Sequence, residues 1–172
     1  MTDRVVAHQG AACWATLFTH SHYLPCLAVL LQSMRACQTR YPLVVMVTET
    51  VDARTRERLT RMGCVLRDVD AWRVPHADGS LAFERFQNVW TKLRAFELYE
   101  YERVVMIDSD MLMCHNMDEL FDLPLKRGMI AAAFACTCNP KQIPTYPAEW
   151  TPRNCGYALR PHPPNDARQL TK

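Results

Sequence analysis

Two aspartates separated by one residue, Asp108-Ser109-Asp110, follow directly on the apolar run Arg103 to Ile107. Carboxylates that close, with no basic residue beside them in sequence, repel each other unless a cation lies between them. A hard divalent ion, Mg²⁺ or Mn²⁺, takes carboxylate oxygens and keeps room for substrate phosphates. Held there, it would bridge the two phosphates of a nucleoside diphosphate and neutralise charge that grows as the diphosphate leaves. A lone D-x-D is also a common pair of solvated aspartates in a capped turn. The apolar strand immediately before it favours the chemical reading. Lys92 and Arg85 lie upstream, and a lysine and an arginine converging on a diphosphate would complement such a metal. Taken alone, Lys92 reads as a surface lysine beside Leu93. Tyr23 suits either core packing or stacking on a flat base. His20 and His22 stand at i, i+2 rather than i, i+4, and so read as loop residues rather than ligands.

These residues need a scaffold, and the apolar pattern supplies one. Ala12 to Phe18, Leu43 to Val47, Cys64 to Val69 and Arg103 to Ile107 read as strands, the last apolar on both faces, and Met129 to Phe134 as a fifth. Between them, Tyr23, Leu27, Leu30, Leu31 and Met34 recur at helical spacing behind an N-cap at Ser21, with Pro25 in the first turn. Asp52 caps a second helix that ends at Gly63. A polar loop from Asp70 to about Phe86 precedes a third helix, with Val89, Leu93 and Phe96 on its apolar face. Met117 to Phe121 reads as a short helix stopped by Pro124. Strands alternating with helices predict an α/β domain with a mostly parallel sheet covered on both faces. In such sheets ligands lie at the carboxyl ends of the strands, where Thr19 and Asp108 stand.

The remaining composition narrows the function. The chain has 172 residues, enough for one domain with a real core. A net charge of +2 does not argue for a nucleic-acid partner, and the Arg54, Arg56, Arg58 and Arg61 cluster reads as a solvated helix face. No run approaches the ~20 apolar residues needed to span a bilayer, and no targeting segment is visible, so a cytoplasmic protein is expected. Eight cysteines, mostly in apolar runs, read as reduced buried thiols. A zinc site drawn from Cys114, His115, Cys136, Cys138 and Cys155 is the sharper alternative, although paired C-x₂₋₄-C spacing is missing. The five glycines form no G-x-G, which disfavours a dinucleotide-dependent oxidoreductase. After Asn139 the chain turns proline-rich. The expected organisation is an N-terminal segment, 1–11, an α/β domain, 12–157, and a disordered tail, 158–172.

Taken together, Trp90-Thr91-Lys92-Leu93-Arg94-Ala95-Phe96, Tyr101 to Asp110 and Asn116-Met117-Asp118-Glu119-Leu120-Phe121 resemble glycosyltransferase family 8, which includes glycogenin and galactinol synthase. Trp14 to Thr19, followed by Tyr23, is similar to that family's first strand and base-stacking tyrosine. Cys138-Asn139-Pro140 and Tyr146-Pro147 look like its galactinol-synthase-like branch. The resemblance implies a GT-A type, Rossmann-like fold, a UDP-sugar donor (glucose or galactose), Mn²⁺, and transfer with retention of configuration to an unknown acceptor. It further implies that Thr19 and Tyr23 hold the uridine, Arg85 and Lys92 lie near the diphosphate or sugar, Asp108 and Asp110 bind the metal, and Ser109 meets the ribose. No catalytic residue is assigned. The family's Asn-Ser-Gly, Asp-Gln and His-x-x-Gly-x-x-Lys-Pro-Trp segments do not occur in this sequence, so the fold is expected to be incomplete in its C-terminal half. The alternatives are a nucleotide-sugar-binding fragment without catalysis and a D-x-D phosphohydrolase of the haloacid-dehalogenase kind. The latter would use the first aspartate as nucleophile, yet such enzymes usually begin with that strand.

Overall fold

The computed structural model describes residues 12–72, 87–126, 128–133 and 136–156. The chain divides into two compact units, Met1–Leu123 and Pro124–Lys172. The N-terminal segment, most of the loop after Asp70, Arg85 and the tail 158–172 lie outside the described residues.

The first unit is a four-stranded sheet: β1 (Ala12–Phe18), β2 (Leu43–Val47), β3 (Val65–Asp68) and β4 (Arg103–Met106). The spatial order is β3-β2-β1-β4, and every pairing is parallel. The period of two along β1 sorts its side chains into two cores. Ala12, Trp14 and Phe18 face one way, with Leu27, Leu30, Leu31 and Met34 of helix α1 (Leu24–Ala36) and Leu59 of helix α2 (Ala53–Arg61). Cys13, Ala15 and Leu17 face the other way, with Val44, Met46, Ala95 and Leu98. Each fully buried large side chain here contributes about 1.5–3 kcal/mol by leaving water. The expected two-faced α/β architecture is therefore present.

Five local expectations are corrected. The first helix opens as a 3-10 turn, Ser21–Tyr23, before α1, and Ser21 does not cap it; its hydroxyl donates instead to Asp52 Oδ2 at 3.2 Å. Gln87–Glu97 winds as 3-10 turns rather than an α-helix, and its phase is shifted. Val89, Leu93 and Phe96 are exposed, while Thr91, Ala95 and Leu98 point inward. The reason is polar anchoring: Thr91 Oγ1 accepts from the Trp72 backbone N–H at 3.0 Å, and Arg94 donates to the Asp70 carbonyl. β4 is half-buried, not covered on both faces, and forms an edge of the described sheet. Residues 129–133 form no strand, and the short Met117–Phe121 helix is a 3-10 turn, Asp118–Asp122.

Asp52 caps α2 as expected, accepting from the Thr55 N–H at 2.9 Å. That bond is the main reason its carboxyl is held below the ordinary range. The arginine cluster is only partly a solvated face: Arg54, Arg58 and Arg61 are exposed, but Arg56 is half-buried. It donates to the Val51 and Thr48 carbonyls at 2.9 and 2.8 Å and pairs with Asp68, pinning the loop after β2 to β3. Among the described residues no helix is long and apolar enough to cross a membrane.

The cysteines also depart from expectation. Cys13, Cys64 and Cys155 are buried, Cys37 and Cys138 are intermediate, and Cys26, Cys114 and Cys136 are exposed. Burial pushes the Cys13 thiol up to about 12 and the Cys64 thiol up to about 11, which keeps both protonated and unreactive.

Candidate functional site

The chain builds β1, β2 and β3 outward in one direction and then returns to place β4 on the opposite side of β1. The gap between β1 and β4 is therefore the switch point of the sheet, where the loops leaving two neighbouring strands part and leave a crevice. Ala15 pairs with Met106, and the Ile107 N–H donates to the Ala15 carbonyl at 2.9 Å. Asp108 consequently leaves β4 level with Leu17. Thr19 leaves β1 two residues further on, about 7 Å along the strand direction. Both stand on the carboxyl side of the sheet.

The aspartates occupy the turn after Ile107, closed by a hydrogen bond from the Met111 N–H to the Asp108 carbonyl at 3.2 Å. Asp108 and Ser109 are half-exposed, and Asp110 is exposed. Lys92 Nζ lies 2.5 Å from Asp108 Oδ1, with the two side chains 37% and 42% exposed. The inward position of Thr91 aims its neighbour Lys92 at the end of β4. A basic residue does therefore stand beside the pair in space, though not in sequence, and it offsets part of the repulsion that a cation alone seemed to relieve. Two solvent-facing carboxylates offer hard oxygen donors, which fit a Mg²⁺ or Mn²⁺ ion that keeps water and phosphate ligands.

Tyr23 is exposed, so core packing is excluded; its ring lies 4.1 Å from that of His22. Thr19 Oγ1 and His20 Nδ1 are 2.8 Å apart, and the Thr19 carbonyl accepts from the Thr50 hydroxyl. With Ser21 donating to Asp52, these bonds tie the turn after β1 to the turn after β2. Thr19, Tyr23, Lys92, Asp108, Ser109 and Asp110 thus all belong to the segments leaving β1 and β4 or to the element that reaches Asp108. Arg85 lies outside the described residues.

Several supporting residues escaped the sequence reading. Asp118 is buried. It accepts from the Thr39 hydroxyl and from the Arg40 backbone N–H and guanidinium, the last two at 2.9 and 3.3 Å. Burial alone would raise its carboxyl, but these bonds and a weaker one from Asn116 outweigh it, and the group titrates below the ordinary carboxylate range. Ser33 donates to the Leu30 carbonyl at 2.7 Å and accepts from the Met113 N–H at 3.0 Å. Phe121 packs edge-on against Trp14, ring centres 5.0 Å apart. The Asn116 to Phe121 stretch is therefore an anchor for the chain leaving Asp110. Asn116, two residues before the helical turn, was the available signal, since such side chains bond nearby backbone, here the Asp118 N–H at 2.8 Å.

Fold and crevice together define a GT-A type, Rossmann-like α/β domain. The fold is similar to that of a solved WbbM bifunctional glycosyltransferase in its apo form, with a TM-score of 0.51, 20% identity, and coverage of 73% of this chain and 23% of that one. Residues 15–158 match the family described as "Glycosyl transferase family 8", and the chain belongs to that family. Similar curated proteins include galactinol synthase 5 of Arabidopsis thaliana, 30% identical over 80% of this chain and 41% of its own length. Galactinol synthase 2 of Solanum lycopersicum is 32% identical over 64% of this chain and 32% of its own. Galactinol synthase 2 of Ajuga reptans is 33% identical over 64% and 37%. The chain thus spans between 32% and 41% of the length of these relatives.

Proposed function

We propose that this chain supplies the nucleotide-sugar site of a retaining glycosyltransferase, binding a UDP-sugar together with Mn²⁺ at Asp108-Ser109-Asp110. The observation that carries the proposal is the placement of Thr19 and Asp108 on either side of the β1–β4 crevice. In this arrangement Tyr23 stacks on the uracil ring with its exposed face, and Thr19 holds the uridine beside it. Ser109 meets the ribose. Asp108 and Asp110 hold the ion, which when bound stabilises the charge on the departing diphosphate. Lys92 moves from Asp108 onto a phosphate oxygen as the ligand enters, an exchange of one anionic partner for another that leaves no charge unpaired. The family resemblance implies a further role for Arg85 near the diphosphate or sugar. The name shared by the relatives makes UDP-galactose the first donor to test, with UDP-glucose beside it.

Calorimetric titration of UDP in Mn²⁺, and again in EDTA, tests this directly. Binding that requires Mn²⁺ and disappears in Asp110→Asn supports the assignment. Equal binding by wild type and variant would overturn it.

A further inference from the structure

The second unit contains a cluster that the nucleotide site does not use. Cys136, Cys138 and Cys155 bring their three Sγ atoms within 4.8 Å of one another. Cys114 and His115, the other candidate ligands, belong to the first unit. Cys136 and Cys138 form a C-x-C, and Cys155 returns to them from the far end of a long turn. That return is built locally. Asn139, at a φ of 44°, accepts from the Ile143 N–H at 2.8 Å and donates to its carbonyl at 3.3 Å. Tyr146 and Trp150 stack edge-on, ring centres 4.9 Å apart. The 3-10 turn Pro152–Asn154 then delivers Cys155.

Among its described residues this segment shows no hydrophobic core. Cys155 is the only buried residue among the described residues of the second unit, which include no strand and no α-helix. A piece of chain this small, without a core, ordinarily requires a covalent or metal cross-link to keep one conformation. Three converging cysteines supply the ligands for such a cross-link. The Thr137 backbone N–H also donates to Cys155 Sγ at 3.3 Å. A bond of that kind orients a ligating sulfur and stabilises it as thiolate.

We propose that Cys136, Cys138 and Cys155 bind one zinc ion as thiolates, a structural site independent in its ligand chemistry from the aspartate pair. Soft sulfur donors select zinc over the hard ions that carboxylates favour. In a tetrahedral site with Zn–S bonds of about 2.3 Å, neighbouring sulfurs lie about 3.8 Å apart. The observed cluster reaches that geometry by closing about 1 Å at most, within the range of side-chain rotation. The step is a ligand exchange without redox change: three S–H protons pass to the buffer, three Zn–S bonds replace three Zn–water bonds, and the fourth position keeps water or takes a further donor. The zinc pins the Cys136–Cys155 turn, the stretch that carries Asn139, Tyr146 and Trp150.

The test uses the full chain, purified under a phosphine reductant from zinc-supplemented culture. Elemental analysis should find one zinc per chain. Cys136→Ser, an exposed position whose loss leaves packing intact, should reduce zinc content at least tenfold, and Cys138→Ser likewise. Cys26→Ser, exposed on α1, should leave it at one. Co²⁺ exchanged into the wild type should show sulfur-to-metal charge-transfer absorption, lost or reduced by at least a third in Cys136→Ser. Chelation should open the 136–155 segment to protease while Mn²⁺-dependent UDP binding is measured separately. A zinc-free chain with all three thiols titratable would overturn the proposal. So would a mass two hydrogens short from a disulfide within the cluster, or zinc retained in Cys136→Ser and Cys138→Ser.

Discussion

Replacing Lys92 with methionine should move two affinities in opposite directions. The side chain keeps its approximate length, so the packing of Thr91 and Leu98 is undisturbed, and only the charge is lost. In the ligand-free site Lys92 Nζ contacts Asp108 Oδ1 at 2.5 Å, between groups 37% and 42% exposed. At that exposure an ion pair is worth about 0.2–1 kcal/mol after screening. A metal that uses Asp108 must displace it, so Lys92→Met should tighten binding of Mn²⁺ alone by about 1.4- to 5-fold. With UDP present the balance reverses. The lysine now contributes a charge-assisted bond to phosphate, worth about 1.5–3 kcal/mol, and its loss should weaken UDP binding by roughly 13- to 160-fold. Free Mn²⁺ followed by electron paramagnetic resonance gives the first constant. Calorimetry with saturating Mn²⁺ gives the second. Parallel weakening of both would show that Lys92 supports the fold of the turn rather than competing for it, and no change in either would remove it from the site.

Three further outcomes follow from the scaffold. Asp118→Asn should destabilise the chain by about 2 kcal/mol at neutral pH, since it gives up charged hydrogen bonds in a buried position. Because the folded carboxyl titrates below its unfolded value of 3.8, the deficit should be constant above that value and shrink as pH falls through the lower folded one, which denaturant midpoints across an acid series will show. Thr16→Val should raise the urea midpoint by about 1 kcal/mol equivalent, because the Thr16 hydroxyl is fully buried without a hydrogen-bond partner and the methyl has the same shape. Gly63→Ala should cost about 1 kcal/mol in the same assay, since its φ of +87° ends α2 in the left-handed region and a Cβ would meet Arg35 Nη2 at 3.2 Å.

The strands and the two α-helices were legible because short apolar runs and i, i+3, i+4 stripes have few other uses. The position of Asp108 followed from the strand before it. The stretch from Gln87 was misread in both period and phase, since it winds as 3-10 turns with Thr91 and Ala95 inward. Thr91 and Lys92 carry polar atoms that a hydrophobicity pattern sends outward, and only the tertiary partners Trp72 and Asp108 bring them in. β4 read as apolar on both faces because Val104, Val105 and Met106 are apolar, yet its residues are half-buried at an edge of the described sheet. Arg56 and Asp118 were invisible for a related reason: their partners Thr48, Asp68, Thr39 and Arg40 are fixed by folding, not by spacing. The cysteine cluster lay within the wider ligand set considered from sequence, but only the return of Cys155 selected its three members.

The pairing of β1 with β4 has a kinetic consequence. Ala12 meets Arg103 after about ninety residues of intervening chain, whereas Trp14 meets Leu43 after about thirty. Loop closure is costlier for the longer separation, so β1, α1, β2, α2 and β3 should associate before β4 docks. The crevice that brings Thr19 beside Asp108 comes into existence only at that last docking. A ligand that spans it has nothing to grip in the transition state. It should therefore slow unfolding in proportion to its occupancy while leaving the refolding rate unchanged, so that a nucleotide protects this chain by delaying its opening rather than by hastening its assembly.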